Sequence, residues 1–403
     1  MDREFHNKIA EKCLLHFRAL PKTGKPKDGE EWTVLSCIAK RCDDDDDNLE
    51  VVSVGTGSKC IGKSKMCPRG TVLNDSHAEI VCRRSFLRYL YDQMNSERSI
   101  FDFSSERSRF QLKAGVTFHF FTTHVPCGDA AIFATQLVED FGDILTSNEG
   151  PGPAKKKKIA SDVSRTGAKC VVGDVRQDSK EAGAGYHVVG VVRTKPGRGD
   201  PTLSASCSDK MAKWCHLGIQ GALLSILLES PIYLSSFTIA TGTPFCPAAL
   251  ERALHERLGG AAPDDVPYHP IAVGWGNKPF PHAKTDSKRP CASSISWSRI
   301  GNNEQRALEV AVDGRRQGVT KKNSTESGGA LKICKLALFG QFIAVAKRFE
   351  IKIAADVESL DVMTYEKAKR AAEEYQRRWH TLRQLFNIWP RKDDELLQFC
   401  APK

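Results

Sequence analysis

Between residues 78 and 258 the chain alternates segments of helix-forming and strand-forming residues, and this alternation constrains the fold more than any other feature. Strong helix formers fill 78–94, and aromatic and β-branched residues fill 116–123. Helical patterns follow at 129–141, 206–229 and 248–258, with a strand at 232–240. Such alternation predicts an α/β fold with helices packed on a central sheet. Ahead of it, Phe5, Ile9, Cys13 and Phe17 recur at four-residue spacing and predict an amphipathic helix over the first twenty residues. Residues 32–40 and 51–54 read as strands joined by an exposed hairpin loop carrying the acidic run 43–47.

The hydrophobic fraction of 40% supports a sizeable core and excludes whole-chain disorder. The longest apolar stretch, 217–228, is too short to span a bilayer and is closed by Glu229 and Pro231. The N-terminal residues lack the apolar core of a signal peptide, so the fourteen cysteines are expected as reduced thiols in the nucleus, the cytoplasm or both. Metal ligands are therefore sought among them before disulfides. The formal charge of +10 favours anionic partners, nucleic acid first. It is concentrated in two regions, 151–200 and 330–392, each with six more basic than acidic residues. The first overlaps 146–185, a Gly/Ser/Pro/Lys-rich stretch read as a basic, flexible insertion within one domain spanning 1–403. The second is read as helical.

His77-Ala78-Glu79 stands at a loop-to-helix junction, and Pro126-Cys127-Gly128-Asp129 at a strand-to-helix junction. The zinc nucleobase deaminases use H-x-E followed by P-C-x-x-C. One imidazole and two thiolates hold zinc with its fourth position open, and the Glu moves protons without ligating. Here the last position of the second motif is Ala130, so the third ligand comes from elsewhere. Cys207, which opens another apolar helix, is the candidate. Spacing alone leaves it balanced against a buried structural thiol.

Residues 74–84 (NDSHAEIVCRR), 126–130 (PCGDA) and 206–214 (SCSDKMAKW) resemble the deaminase motifs of the adenosine deaminases acting on RNA. Residues 165–170 (RTGAKC), 195–200 (KPGRGD) and 221–224 (GALL) look like the tRNA-acting branch of that family. The resemblance covers the chain from about residue 10 onward. It implies a cytidine-deaminase-like α/β core, with a central mixed β-sheet flanked by helices and a helical C-terminal extension. It implies His77, Cys127 and Cys207 as zinc ligands and Glu79 as proton shuttle. The implied reaction is hydrolytic deamination of adenosine to inosine in tRNA, next to the anticodon of alanine tRNA. The deaminase motif begins by residue 74, which leaves no room for a preceding double-stranded-RNA-binding domain. Two competing readings remain: a deaminase of double-stranded RNA, and a non-catalytic RNA-binding protein with a structural zinc.

Arg84 follows His77 by seven residues, about 20° short of two helical turns, and Lys210 follows Cys207 by about one turn. Both cations therefore share a face with a ligand and point inward, where they need carboxylate partners, a route to a cleft rim, or a buried anion. The resemblance implies the last, a structural inositol hexakisphosphate. The matching positions are Asn74, Arg83, Arg84, Lys210, Lys213, Lys335, Tyr365, Lys369, Tyr375, Trp389 and Lys392. Lys213 stands for an Arg, Trp379 for a Lys, Arg391 for a Glu and Leu397 for an Asp, so the outer part of that site departs from the pattern.

The resemblance implies RNA contacts at Ser58 and Lys59, and further contacts are expected at Lys169, Lys195 and Arg198. Lys155–Lys158 reads as a nuclear localisation signal, a phosphate contact or a solvated charge run. The expected partner is the tRNA anticodon stem-loop. No membrane and no obligate protein partner is inferred.

Overall fold

The structure is a computed structural model and describes residues 2–42, 48–134, 163–197, 199–258, 263–301, 307–320, 327–353 and 359–401. The acidic run 43–47, Lys155–Lys158 and Arg198 lie outside the described residues.

Eight strands form the central sheet: β1 (Leu35–Arg41), β2 (Glu50–Thr56), β3 (Thr117–Thr122), β4 (Ser236–Thr241), β5 (Ala272–Pro279), β6 (Ser293–Ser298), β7 (Leu308–Val312) and β8 (Arg315–Arg316). Their spatial order is β5-β4-β3-β1-β2-β6-β7-β8. β3, β4 and β5 run parallel, and the remaining pairings are antiparallel. This is the mixed sheet of a cytidine-deaminase-like core. β1 and β2 pair as the expected hairpin.

Helix α1 (Arg3–Ala19) buries Phe5, Ile9, Cys13 and Phe17 on one face of the sheet, as their spacing predicts. Helix α2 (Ala78–Met94) packs on the other face, over β2. The two backbones nearly touch: a Cβ on Gly55 of β2 would stand 2.2 Å from the Cys82 nitrogen and 2.4 Å from the Ala78 oxygen. Only glycine lets α2 lie this deep, and its depth sets where its first turn meets the sheet.

The helix expected at 206–229 is two helices, α3 (Cys207–Leu217) and α4 (Ala222–Leu227). Gly218 and Gly221, with φ of 80° and 77°, turn the chain between them. The helix expected from 129 does not form at its start. Asp129–Ala131 is a single tight turn, and Phe133–Ala134 then pairs with Val163–Ser164. Asp129 is drawn out of helical use because its carboxylate binds Arg252 and the Gly190 amide. The helix expected at 248–258 is α5 (Pro247–Leu254) followed by a short 3-10 turn. The C-terminal region supplies α6 (Lys335–Arg348), α7 (Tyr365–Arg370) and α8 (Glu373–Leu385). All fourteen cysteines are free thiols.

Gly55→Ala should lower stability by about 3 kcal/mol, because the added methyl forces α2 away from the sheet. Urea unfolding, read as a lower midpoint at unchanged slope, checks this.

Candidate functional site

The residues that carry chemistry meet at element ends. Strand Asp75–His77 pairs with Ser58–Cys60, and His77 caps α2, whose first turn holds Glu79. Glu79 is buried, with 3% of its surface exposed. Cys127 lies in the loop leaving the C-terminal end of β3. Cys207 is the first residue of α3, where Ser206 caps the helix by accepting from the Asp209 amide. The two thiol loops are stitched together: the Ser208 amide donates to the Cys127 carbonyl (3.0 Å), and the Cys207 amide to Cys127 Sγ (3.4 Å).

His77 Nδ1 stands 3.8 Å from Cys127 Sγ and 3.6 Å from Cys207 Sγ. These three ligand atoms lie within 4.8 Å of one another and form the cluster, among the described residues, that could hold a metal ion. A tetrahedral zinc with Zn–S of about 2.3 Å and Zn–N of about 2.0 Å would set each N···S edge near ~3.6 Å. The observed separations fit that ion. The set offers three protein ligands, and a catalytic zinc keeps its fourth position for water. Cys127 and Cys207, eighty residues apart in sequence, are brought together as expected.

Behind the cluster runs a chain of charged contacts. Lys195 is buried, and its ammonium donates to both Asp75 oxygens (2.8 and 2.7 Å) and to Cys207 Sγ (3.1 Å). Lys210 donates to the same carboxylate, which also accepts from the His77 amide. Burial works to raise the Asp75 pKa, but Lys195 and Lys210 hold it well below the usual carboxylate range. Burial opposes the Lys195 charge, yet Asp75 and the nearby thiols hold its pKa well above the ordinary lysine value. This corrects the expectation that Lys195 contacts RNA, because its ammonium is enclosed and committed to Asp75 and Cys207. Neither Asp75 nor Lys195 stands out as a partner in sequence, since their pairing spans 120 residues. The carboxylate partner weighed for Lys210 is therefore real, and it is Asp75.

Lys210 also opens onto a cavity of about 340 Å³, within the usual size of small-ligand sites. All eleven residues singled out for a buried anion line it, from the segment before Asp75–His77, from α2, α3, α6, α7 and α8, and from the segment after α8. Its walls carry seven cations, Arg83, Arg84, Lys210, Lys213, Lys335, Lys369 and Lys392, and one carboxylate, Asp75. Among the described residues no carboxylate pairs with Lys213, Lys335, Lys369 or Lys392. Burial, then the neighbouring cations, pushes Lys213 and Lys392 well below the ordinary lysine value and Lys335 down to about 8. Arg83 Nε donates to the Ile219 carbonyl and Arg84 Nε to that of Ile333. The Lys213 ammonium sits 3.4 Å from the centre of the Trp379 ring, so the aromatic that departs from the family pattern meets the lysine that also departs from it.

The remaining expected RNA residues lie apart from this cavity. Ser58 and Lys59 pair with His77 and Ser76 in the ladder beside the metal cluster, and Lys169 is exposed. No helix among the described residues is long and apolar enough to cross a membrane.

The sequence profile of the adenosine-deaminase (editase) domain matches residues 53–393. The tRNA-specific adenosine deaminase 1 of Drosophila melanogaster is 37% identical, over 97% of this chain and 96% of its own. The protein of the same name from Homo sapiens is 35% identical, over 98% and 99%. The double-stranded RNA-specific adenosine deaminase of Mus musculus is 29% identical, over 92% of this chain but 30% of its own length.

Lys195→Met removes one of two cations from a buried carboxylate and the donor to Cys207. The expected loss is about 3 kcal/mol of folding free energy, read by chemical denaturation.

Proposed function

The chain belongs to the adenosine-deaminase (editase) family and is an adenosine deaminase, and from that premise we propose that it converts adenosine to inosine in tRNA. The target we infer is the adenosine next to the anticodon of alanine tRNA, presented by the anticodon stem-loop. The reading is carried by the convergence of His77, Cys127 and Cys207 beside buried Glu79, in a chain that aligns end to end with the tRNA-specific relatives. The double-stranded-RNA relatives align over a minor part of their own length. An unpaired loop adenosine also spares the enzyme the few kcal/mol needed to extrude a base from a duplex.

We assign zinc to the cluster, held by His77 Nδ1 and the two thiolates. When bound, zinc lowers the pKa of its water so that hydroxide is available near neutral pH. Glu79, buried two residues beyond His77 in the first turn of α2, is our candidate to move protons. It would carry one water proton to the purine N1, where it stays in inosine, and then the proton of the new C6 hydroxyl to the departing 6-amino group as the carbonyl forms. Water is consumed and ammonia leaves. Lys195 donates to Cys207 Sγ and so orients this ligand and offsets its charge.

The cavity behind Lys210 would hold inositol hexakisphosphate. Seven inward cations against a single carboxylate cost several kcal/mol unless an anion neutralises them. A polyphosphate supplies charge and acceptors on every side, as a cavity walled by so many structural segments requires. RNA would meet the surface beside the metal cluster, through Ser58, Lys59 and Lys169, and Arg198, outside the described residues, is proposed as a further contact.

Glu79→Gln should keep zinc, measured by metal analysis, and lower deamination of an anticodon stem-loop by at least about a thousandfold. Near-normal turnover would remove Glu79 from the proton path, and faster action on a long RNA duplex than on the stem-loop would overturn the tRNA reading. A second prediction concerns pH. Lys335 has a folded pKa of about 8, below its unfolded value, so the anion-free protein binds fewer protons folded than unfolded between pH 8 and about 10.4. Its stability should therefore rise with pH across that window, and bound polyphosphate should abolish the rise by keeping the lysine charged. Thermal melting with and without inositol hexakisphosphate reads both slopes. A protein whose melting is indifferent to the ligand, and which carries no stoichiometric phosphorus, would sink the assignment.

A further inference from the structure

The run Arg165-Thr166-Gly167-Ala168-Lys169-Cys170 has no part in the chemistry described so far, yet it lies against the metal cluster. Thr166 Oγ1 accepts from the amides of Gly128 (3.0 Å) and Ala168 (3.1 Å), and Gly128 directly follows Cys127. The segment is fixed from below by Arg193, whose side chain is fully buried. That guanidinium donates to the Ala168 and Val188 carbonyls (3.1 and 2.6 Å) and grips both oxygens of Asp178 (2.9 and 2.7 Å). The loop that presents Arg165 is therefore held rigidly beside Cys127.

Arg165 itself is exposed. Its guanidinium carbon lies 4.1 Å from the centre of the Tyr186 ring, and Tyr186 meets His187 edge-on at 4.8 Å. His187 in turn contacts Asp178 (3.1 Å), so the aromatic support shares the Arg193 anchor. No carboxylate among the described residues forms an ion pair with Arg165. An exposed guanidinium plane backed by an aromatic ring on an anchored loop loses little entropy on receiving a ligand. RNA-binding proteins use such planes to stack unpaired bases, while the edge donors reach phosphate.

We propose that Arg165, seated on Tyr186, stacks against an unpaired base of the RNA next to the one being deaminated. The inference rests on the RNA-substrate reading above and adds a residue to it. Stacking of this kind contributes about 1–3 kcal/mol per base, so its loss corresponds to about a tenfold change or more in affinity. It acts equally in ground and transition states, so it belongs in KM rather than kcat.

The test compares Arg165→Ala, Arg165→Lys and Tyr186→Ala with the full-length wild-type enzyme on an anticodon stem-loop. Melting temperatures should stay within a degree or two for the Arg165 variants, because the side chain is on the surface. Arg165→Ala should raise KM about tenfold with kcat within about twofold, and lower the slope of log(kcat/KM) against log salt by about one. Arg165→Lys should restore the salt slope but leave KM high, since it keeps the charge and loses the plane. Tyr186→Ala should follow Arg165→Ala in KM without changing the slope. An unchanged KM in Arg165→Ala, or full recovery of KM in Arg165→Lys, would overturn the proposal while leaving the tRNA reading intact. A wild-type enzyme inactive on the stem-loop would instead overturn the substrate reading itself.

Discussion

Asp75 is the contact on which the site depends. Its carboxylate accepts from the His77 amide, from Lys195, which reaches Cys207 Sγ, and from Lys210, which faces the basic cavity. One buried anion thus ties one metal ligand to another and both to the cavity wall. It joins two regions remote in sequence, 75–77, which leads into α2, and 195–210, which leads into α3, at separations of 120 and 135 residues. A carboxylate satisfied by two ammoniums is worth keeping charged in the interior, where a lone one would be neutralised. The geometry of His77 relative to Cys207 follows from where that carboxylate sits.

The sheet supplies the other half of the constraint. β2 can carry α2 at the observed depth because Gly55 has no side chain, and β3 delivers Cys127 from its C-terminal end, beside parallel β4. Loops at the carboxyl ends of parallel strands gather on one edge, which is where α/β proteins build their sites. Asp129 and Asp209, each two residues after a thiol, then bind Arg252 and Arg257 from the α5 segment. The thiol turns are held from outside the cluster as well as from within.

Much of this was legible in the sequence because it depends on local rules. The α1 spacing, the run 78–94, and the helix starts at His77 and Cys207 each follow from periodicity or capping. The lining of the cavity was legible only through the family resemblance, since seven cations pointing inward contradict what composition suggests. Three features were not legible. The break between α3 and α4 depends on two glycines at positive φ inside an otherwise helical run. The tight turn at Asp129–Ala131, where a helix start was expected, depends on a carboxylate bound by partners 61 and 123 residues away. Lys195 looked like a surface cation in a Gly/Pro-rich loop, and its burial depends on Asp75, 120 residues earlier. Long-range pairing of polar groups leaves no periodic trace.

The same pairing changes what the net charge means. The chain carries +10, but seven cations and one carboxylate line the internal cavity, so six of those charges point inward and four remain for the rest of the molecule. A remainder of about +4 on 403 residues is too weak to draw RNA by bulk attraction alone, given a Debye length of about 8 Å at physiological salt. Affinity must then come from a few placed cations next to the site, and from contacts that salt does not screen. The loop held by Arg193 beside Cys127 supplies both, in Lys169 and in the aromatic-backed plane of Arg165. Rigid presentation next to the metal cluster, rather than quantity of charge, is what this surface offers a substrate.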